Sequence, residues 1–279
     1  MSGNQLTETG RVGKLVVATD GSAYSDGSIR VGLAYANRIQ AEVFGLSVII
    51  HSPEFETFVP NLEELSAQRA QEALVSFYAA AGEGAPTIVL KAADPAEGIV
   101  EGAKQAGADM IVIGRRGKRG LARSHVGDAT VKVIGRADCP VLVVPQVGQL
   151  WSKHILLATD GSECSVAAAE AAGNIARQSG LPITVVSVVT SSHSDSRRQA
   201  AQEAVDAKVA RFSEMGLQVD GKVLEGQPDE AIVRAVGEVG ADLVVMGSHG
   251  RTGLKKILMG SVSERVIGQV ACPVLVVKP

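Results

Sequence analysis

Several things are scarce in this chain of 279 residues, and each scarcity removes a class of function. There are three cysteines, Cys139, Cys164 and Cys272, with no CxxC pair and no metal-type spacing. That usage fits a reducing, cytoplasmic setting. Long apolar runs are missing: Val141–Val144 and Leu243–Met246 are far too short to span a bilayer. Charge of one sign is not in excess, and a net charge of −3 argues against a protein built to hold nucleic acid by its phosphates. The polar segment Met1–Arg11 has no apolar stretch and reads as a loose tail rather than a signal peptide. The five histidines, at positions 51, 125, 154, 193 and 249, show no metal-ligand spacing. No G-x4-G-K-[ST] loop occurs, which excludes a P-loop NTPase, and no G-x-S-x-G elbow occurs either.

What remains is an ordinary globular composition, 46% hydrophobic and 20% charged, in a chain long enough for two domains with their own cores. The chain also repeats itself. Leu15-Val-Val-Ala-Thr-Asp-Gly-Ser22 returns as Ile155-Leu-Leu-Ala-Thr-Asp-Gly-Ser162. Gly107-Ala-Asp109 returns as Gly240-Ala-Asp242, and Cys139-Pro-Val-Leu-Val-Val144 as Cys272-Pro-Val-Leu-Val-Val277. The offset is 140 residues at the first match and 133 at the later two, so the first copy carries seven extra residues. Tandem duplication explains this order and spacing. The boundary is expected near Gln146–Ser152, giving one domain over 1–147 and a second over 148–279.

Within the second copy, strands are expected at His154–Thr159, Pro182–Val189, Gln218–Leu224, Asp242–Gly247 and Pro273–Val277. Most are almost continuously Val/Ile/Leu-rich, as strands covered on both faces must be. Helices are expected near Glu163–Gln178, Ser194–Met215, Asp229–Val239 and Ser261–Gln269, where apolar residues recur at helical spacing. The first copy reads the same way, with an extra loop around His51–Asn61 before its second helix. The fold class is therefore α/β: two tandem doubly wound domains, each a five-stranded parallel sheet with helices on both faces.

In such sheets ligands bind beyond the C-terminal strand ends, where the winding reverses. Two loops of the second copy lie there. One is Ala158-Thr159-Asp160-Gly161-Ser162, which carries a carboxylate out of the first strand. The other leaves Met246 and Gly247 and runs through His249 and Gly250 to Gly260-Ser261, which opens the next helix. Glycines permit close backbone approach to a ligand, and a helix N-terminus suits a phosphate. Taken singly, Ser261 also fits a helix N-cap and the glycines ordinary turns. Asp160 also fits a capping turn residue, and His249 a solvated loop residue. At G-x2-G-x9-G-S spacing directly after a buried strand, phosphate binding accounts for the set better.

On these residues the chain resembles the universal stress protein family in its tandem form, over about Gly13 to Lys278. Gly247, Gly250, Gly260 and Ser261 match the family's Gly-x2-Gly-x9-Gly-Ser/Thr signature. The resemblance implies a Rossmann-like, adenine nucleotide alpha hydrolase-like fold with strand order 3-2-1-4-5. It implies ATP, with magnesium, as the ligand. Asp160 would meet the ribose or a metal-phosphate group, and Val188 the adenine edge. Gly247, His249 and Gly250 would line the phosphate path, and Gly260, Ser261, Val262 and Ser263 would cradle the β- and γ-phosphates. The resemblance further implies stress adaptation with slow hydrolysis at most, and fifth strands that pair between domains. A tandem chain can make that pairing internally, as a pseudo-dimer, and two chains are expected to associate as a dimer or higher oligomer.

The first copy departs from the signature. Gly114, Gly117 and Gly127 keep the spacing, but Asp128 stands where the Ser/Thr would be, so this site is expected to be degenerate. A carboxylate there caps the helix and repels a triphosphate. Arg115, Arg116, Lys118, Arg119 and Arg123 make the same loop basic; they offset Asp128, bind another anion or face solvent. Cys139 and Cys272, each before a Pro-started strand, read as packed core thiols. Cys164, beside the proposed site, is a candidate for redox sensitivity. Near the phosphates no nucleophile or clear general base is readable; Asp160 and His249 alone could titrate. A nucleotide-binding regulator of oligomeric state or of a protein partner leads. An ATPase or adenylate-transferring enzyme, and an interaction module with structural ATP, are the alternatives.

Overall fold

The computed structural model describes residues 12–51, 61–116, 126–250 and 259–279. The first copy contributes β1 (Lys14–Ala18), α1 (Asp26–Ile39), β2 (Glu42–Ile50), α2 (Leu62–Ala81), β3 (Thr87–Ala92), α3 (Pro95–Ala106), β4 (Met110–Gly114), α4 (Asp128–Arg136) and β5 (Val141–Val144). The second contributes β6 (Ile155–Ala158), α5 (Glu163–Ser179), β7 (Ile183–Val189), α6 (Asp195–Glu214), β8 (Val219–Glu225), α7 (Pro228–Val239), β9 (Leu243–Gly247), α8 (Ser261–Gln269) and β10 (Val274–Val277). The α/β fold and the expected elements of the second copy are present, each within a few residues of its sequence-derived bounds.

The strands form one ten-stranded sheet in the order β3-β2-β1-β4-β5-β10-β9-β6-β7-β8. Each half is the 3-2-1-4-5 arrangement, parallel throughout, and the two halves meet antiparallel between β5 and β10. Val143 faces Val274, Leu142 faces Leu275 and Val141 faces Val276 across that seam. Sequence patterning marks both fifth strands as apolar edges without charged protection. Pairing them satisfies their backbone groups and removes both edges at once.

The sheet is covered on both sides. One layer, built on α1, α2, α5 and α6, buries Leu15, Val17, Leu142, Leu157 and Leu275 with Tyr35, Phe77 and Phe212. The other, on α3, α4, α7 and α8, buries Val16, Val143, Leu156, Val244 and Val276 with Ile134, Ile232 and Val266. Both cores run continuously across the seam, so alternate residues of every central strand are apolar on both faces. Trp151, in the connection between copies, is 1% exposed and packs on Tyr35 with ring centroids 4.8 Å apart. Arg30 and Arg38 of α1 hold that connection by its carbonyls: Arg30 Nη2 lies 2.9 Å from the Gln146 oxygen, and Arg38 Nη1 2.8 Å from that of Trp151.

The repeated Gly-Ala-Asp motif has a structural reason. Asp242 accepts backbone N–H bonds from Ser152, Lys153 and His154 at 2.7, 3.2 and 3.0 Å. Asp109 likewise accepts from Gly13 and Lys14 at 2.7 and 2.9 Å. Each carboxylate fixes the start of its copy's first strand. The seven extra residues can also be located. Ala18 pairs with Leu46 as Ala158 pairs with Val186, 140 residues on, whereas α2 and α6 begin 133 apart. The insertion therefore lies between β2 and α2, in a connection whose residues 52–60 are outside the described residues.

Candidate functional site

β6 and β9 are adjacent at the centre of the second half, with Ala158 beside Met246, and their C-terminal ends release the two loops singled out in the sequence. Both residues are buried. Beyond Ala158 the backbone stays in register for one more residue, as the Thr159 N–H donates to the Val186 oxygen at 2.9 Å. The Thr159 hydroxyl turns inward, 3.2 Å from the Ser165 hydroxyl. Asp160 then accepts the Ser162 N–H at 3.0 Å, closing a tight Asx turn through Gly161, whose φ is 79°. Ser162 caps α5 by accepting the Ser165 N–H. The capping role considered for Asp160 thus falls to Ser162.

From β9, the Ser248 N–H continues the sheet by donating to the Val277 oxygen at 2.9 Å. Its buried hydroxyl shares a 3.1 Å hydrogen bond with His249 Nδ1 and lies 3.8 Å from the Cys164 sulfur. The two loops touch: the Ser162 hydroxyl is 3.5 Å from the His249 oxygen, and a Cβ on Gly250 would lie 2.7 Å from Asp160 Oδ2. Gly250 therefore brings the Asp160 carboxylate against the glycine loop. Gly247 has a different reason from close ligand approach: a Cβ there would lie 2.7 Å from Cβ of Cys164, so its bareness seats α5 on β9.

The chain between Gly250 and Met259 lies outside the described residues, including Gly253. It re-enters at buried Met259 and Gly260, whose N–H donates to the Ser248 oxygen at 2.9 Å. Gly260, in extended conformation (φ −67°, ψ 144°), is the N-cap of α8 and supplies no side-chain cap. Ser261 is thus the first helical residue and not the cap. Its side chain is exposed, Val262 is half-buried and Ser263 is buried. The N–H groups of Ser261, Val262 and Ser263 have no acceptor within the helix. The Ser263 hydroxyl is committed to the Gly247 oxygen at 3.0 Å. Val188 lies on the same sheet face as Ala158 and Met246, half-buried near the end of β7, and packs on that core layer.

The first half keeps this chassis with different furniture. The Thr130 hydroxyl donates to the Gly114 oxygen at 3.0 Å, and the Gly127 N–H to that of Arg115 at 2.9 Å. Asp128, however, opens α4 and pairs with Lys132 at 2.9 Å; Lys132 also holds Asp94 at 3.0 Å. These bonds, Asp128 first, raise the Lys132 pKa. Asp20, the counterpart of Asp160, takes the Ser22 N–H at 3.0 Å and the Ser22 and Ser25 hydroxyls at 2.6 and 2.8 Å on one oxygen. Here α1 begins only at Asp26, one turn later than α5, which frees Ser25 for that role. Gly117, Lys118, Arg119 and Arg123 lie outside the described residues.

Cys139 and Cys272 match their reading as packed thiols: burial pushes them up to about 11 and about 12. None of the described helices is long and apolar enough to cross a membrane.

Comparison with known proteins agrees with this architecture. A universal stress protein of Methanocaldococcus jannaschii is 38% identical over 47% of this chain and 85% of its own length. One from Mycolicibacterium smegmatis is 26% identical across 95% of this chain and 97% of its own. The crystal structure of a universal stress protein from Archaeoglobus fulgidus superposes with a TM-score of 0.70 at 22% identity, covering 95% of this chain and 98% of that one, and shows the shared fold. The universal stress protein family matches twice, over residues 12–145 and 152–278, and the chain belongs to that family with two units in tandem.

Proposed function

We propose that the second domain, residues 148–279, binds ATP with magnesium, while the first, residues 1–147, is a degenerate copy. The observation that carries this reading is the start of α8. A helix whose N-cap is a bare glycine, at the switch point between β6 and β9, presents first-turn N–H groups that have no acceptor within the helix, and the positive end of its dipole. Gly260, Ser261, Val262 and Ser263 would hold the β- and γ-phosphates, the last two by backbone N–H. Asp160, aligned against Gly250, would take the ribose or the metal-phosphate group. Gly247, His249 and Gly250 would line the path between them, and Ala158, Thr159, Val188 and Met246 would floor the adenine end.

Among the described residues, the Ser162, Ser165 and Ser263 hydroxyls are engaged in holding the loops. We infer a cytoplasmic nucleotide-responsive regulator, with weak ATPase activity at most, whose ligand biases self-association or choice of a protein partner. Isothermal titration with MgATP tests it. Binding by the wild type and its loss in Gly260→Asp, whose side chain enters the anion position, is the expected result. Absence of binding by the wild type would leave an interaction module.

A further inference from the structure

The helix at the proposed phosphate site is held at both ends, and by different halves of the molecule. At its N-terminal end α8 is tied to its own half by the Gly260 N–H to Ser248 and the Ser263 hydroxyl to Gly247. At the other end Arg115, which directly follows β4 in the first half, reaches across the β5–β10 seam. Its Nη1 donates to the carbonyls of Ile267 and Gly268 at 3.2 Å each and of Val270 at 2.9 Å. These are the carbonyls a helix end leaves unpaired. α8 has no basic residue in its own last turn, so the cation that complements this end comes from the first half.

Duplication alone does not dictate the contact. The position equivalent to Arg115 in the second copy is Ser248, which points to His249 instead. The end of α4 is closed by another device: Lys278 Nζ donates to Gly135 and Ala137 at 2.7 and 2.8 Å. Lys278 in turn corresponds to Pro145, which has no donor to offer. Arg115 is also taken out of the basic cluster read in the first glycine loop: its guanidinium serves the neighbouring half rather than an anion of its own.

We propose that Arg115 is a positioning residue for the second-domain nucleotide site, fixing α8 and complementing its dipole so that its first-turn N–H groups hold the terminal phosphates. The proposal rests on the nucleotide reading above. It makes ATP affinity in one domain depend on a side chain of the other.

Full-length wild type, Arg115→Met, Arg115→Gln and Arg115→Lys are to be titrated with MgATP and with AMP, with unliganded melting recorded in parallel. Loss of a helix-end cation is expected to weaken ATP roughly 3- to 30-fold in the Met and Gln variants. AMP, which does not reach α8, should weaken much less, and Lys should restore a large part of the ATP affinity. A purely structural role would lower melting and weaken both nucleotides alike, which would overturn the proposal. So would unchanged ATP affinity in Met and Gln variants that remain folded; if neither folds, an Arg115→Lys variant that weakens ATP and AMP alike would also overturn it. A wild type that binds neither nucleotide defeats the nucleotide reading itself, and with it this inference.

Discussion

The bare α-carbon of Gly247 lies so near Cys164 that an added Cβ would sit 2.7 Å from the cysteine Cβ and 3.0 Å from its carbonyl carbon. The last residue of β9 and the first turn of α5 are thereby pressed together, and the loop carrying Asp160 is set against the one carrying Gly250. Gly247→Ala is expected to cost about 1–3 kcal/mol through overpacking. Cys164→Gly in the same chain should recover part of that loss, because the nearest clashing atom is gone. Urea unfolding of the four members of the cycle measures the coupling. Strict additivity would mean that the two residues do not press on one another.

Asp242 organises the entry of β6 through three backbone N–H groups, and Asp109 does the same for β1 through two. Hydrogen bonds to a charged acceptor outweigh neutral ones. Asp242→Asn is expected to destabilise by about 2 kcal/mol, and Asp109→Asn by somewhat less. Chemical denaturation followed by circular dichroism checks both; wild-type midpoints would show that the strand starts need no anchor.

Two half-buried thiols make a prediction about alkaline pH. Cys139 and Cys272 are raised by burial from 9.0 to about 11 and about 12. An unfolded chain loses these protons first, so the thiols' contribution to stability is whole below about pH 9 and falls as pH rises toward the folded values. The urea midpoint should decline between pH 9 and pH 11, and the Cys139→Ala/Cys272→Ala double variant should decline less steeply. Equal slopes would contradict the assignment.

Much of this was legible in the sequence because it is local or periodic. Continuous apolar runs such as Leu243–Met246 mark strands covered on both faces, and the 140- and 133-residue offsets locate the repeat and its insertion. The contacts that give individual site residues their work were not legible. They join residues distant in the chain: Cys164 with Gly247, Ser162 with His249, Arg115 with Val270. Periodicity reports that a residue is buried, not what it meets across a sheet. Ser263 illustrates the difference. Its spacing places it at the helix start, but only the fold reveals that its hydroxyl is turned inward to Gly247, as Thr130 is to Gly114.

The asymmetry between the two copies is the centre of the account, and Asp128 and Ser261 embody it. Titration of MgATP into wild type, Ser261→Asp and Asp128→Ser by calorimetry measures it most directly. One site per chain in the wild type, abolished or weakened at least about tenfold by the carboxylate at position 261, is the predicted result. Two sites in the wild type, or one that survives Ser261→Asp unchanged while Asp128→Ser alters it, would contradict it by placing the nucleotide in the first domain.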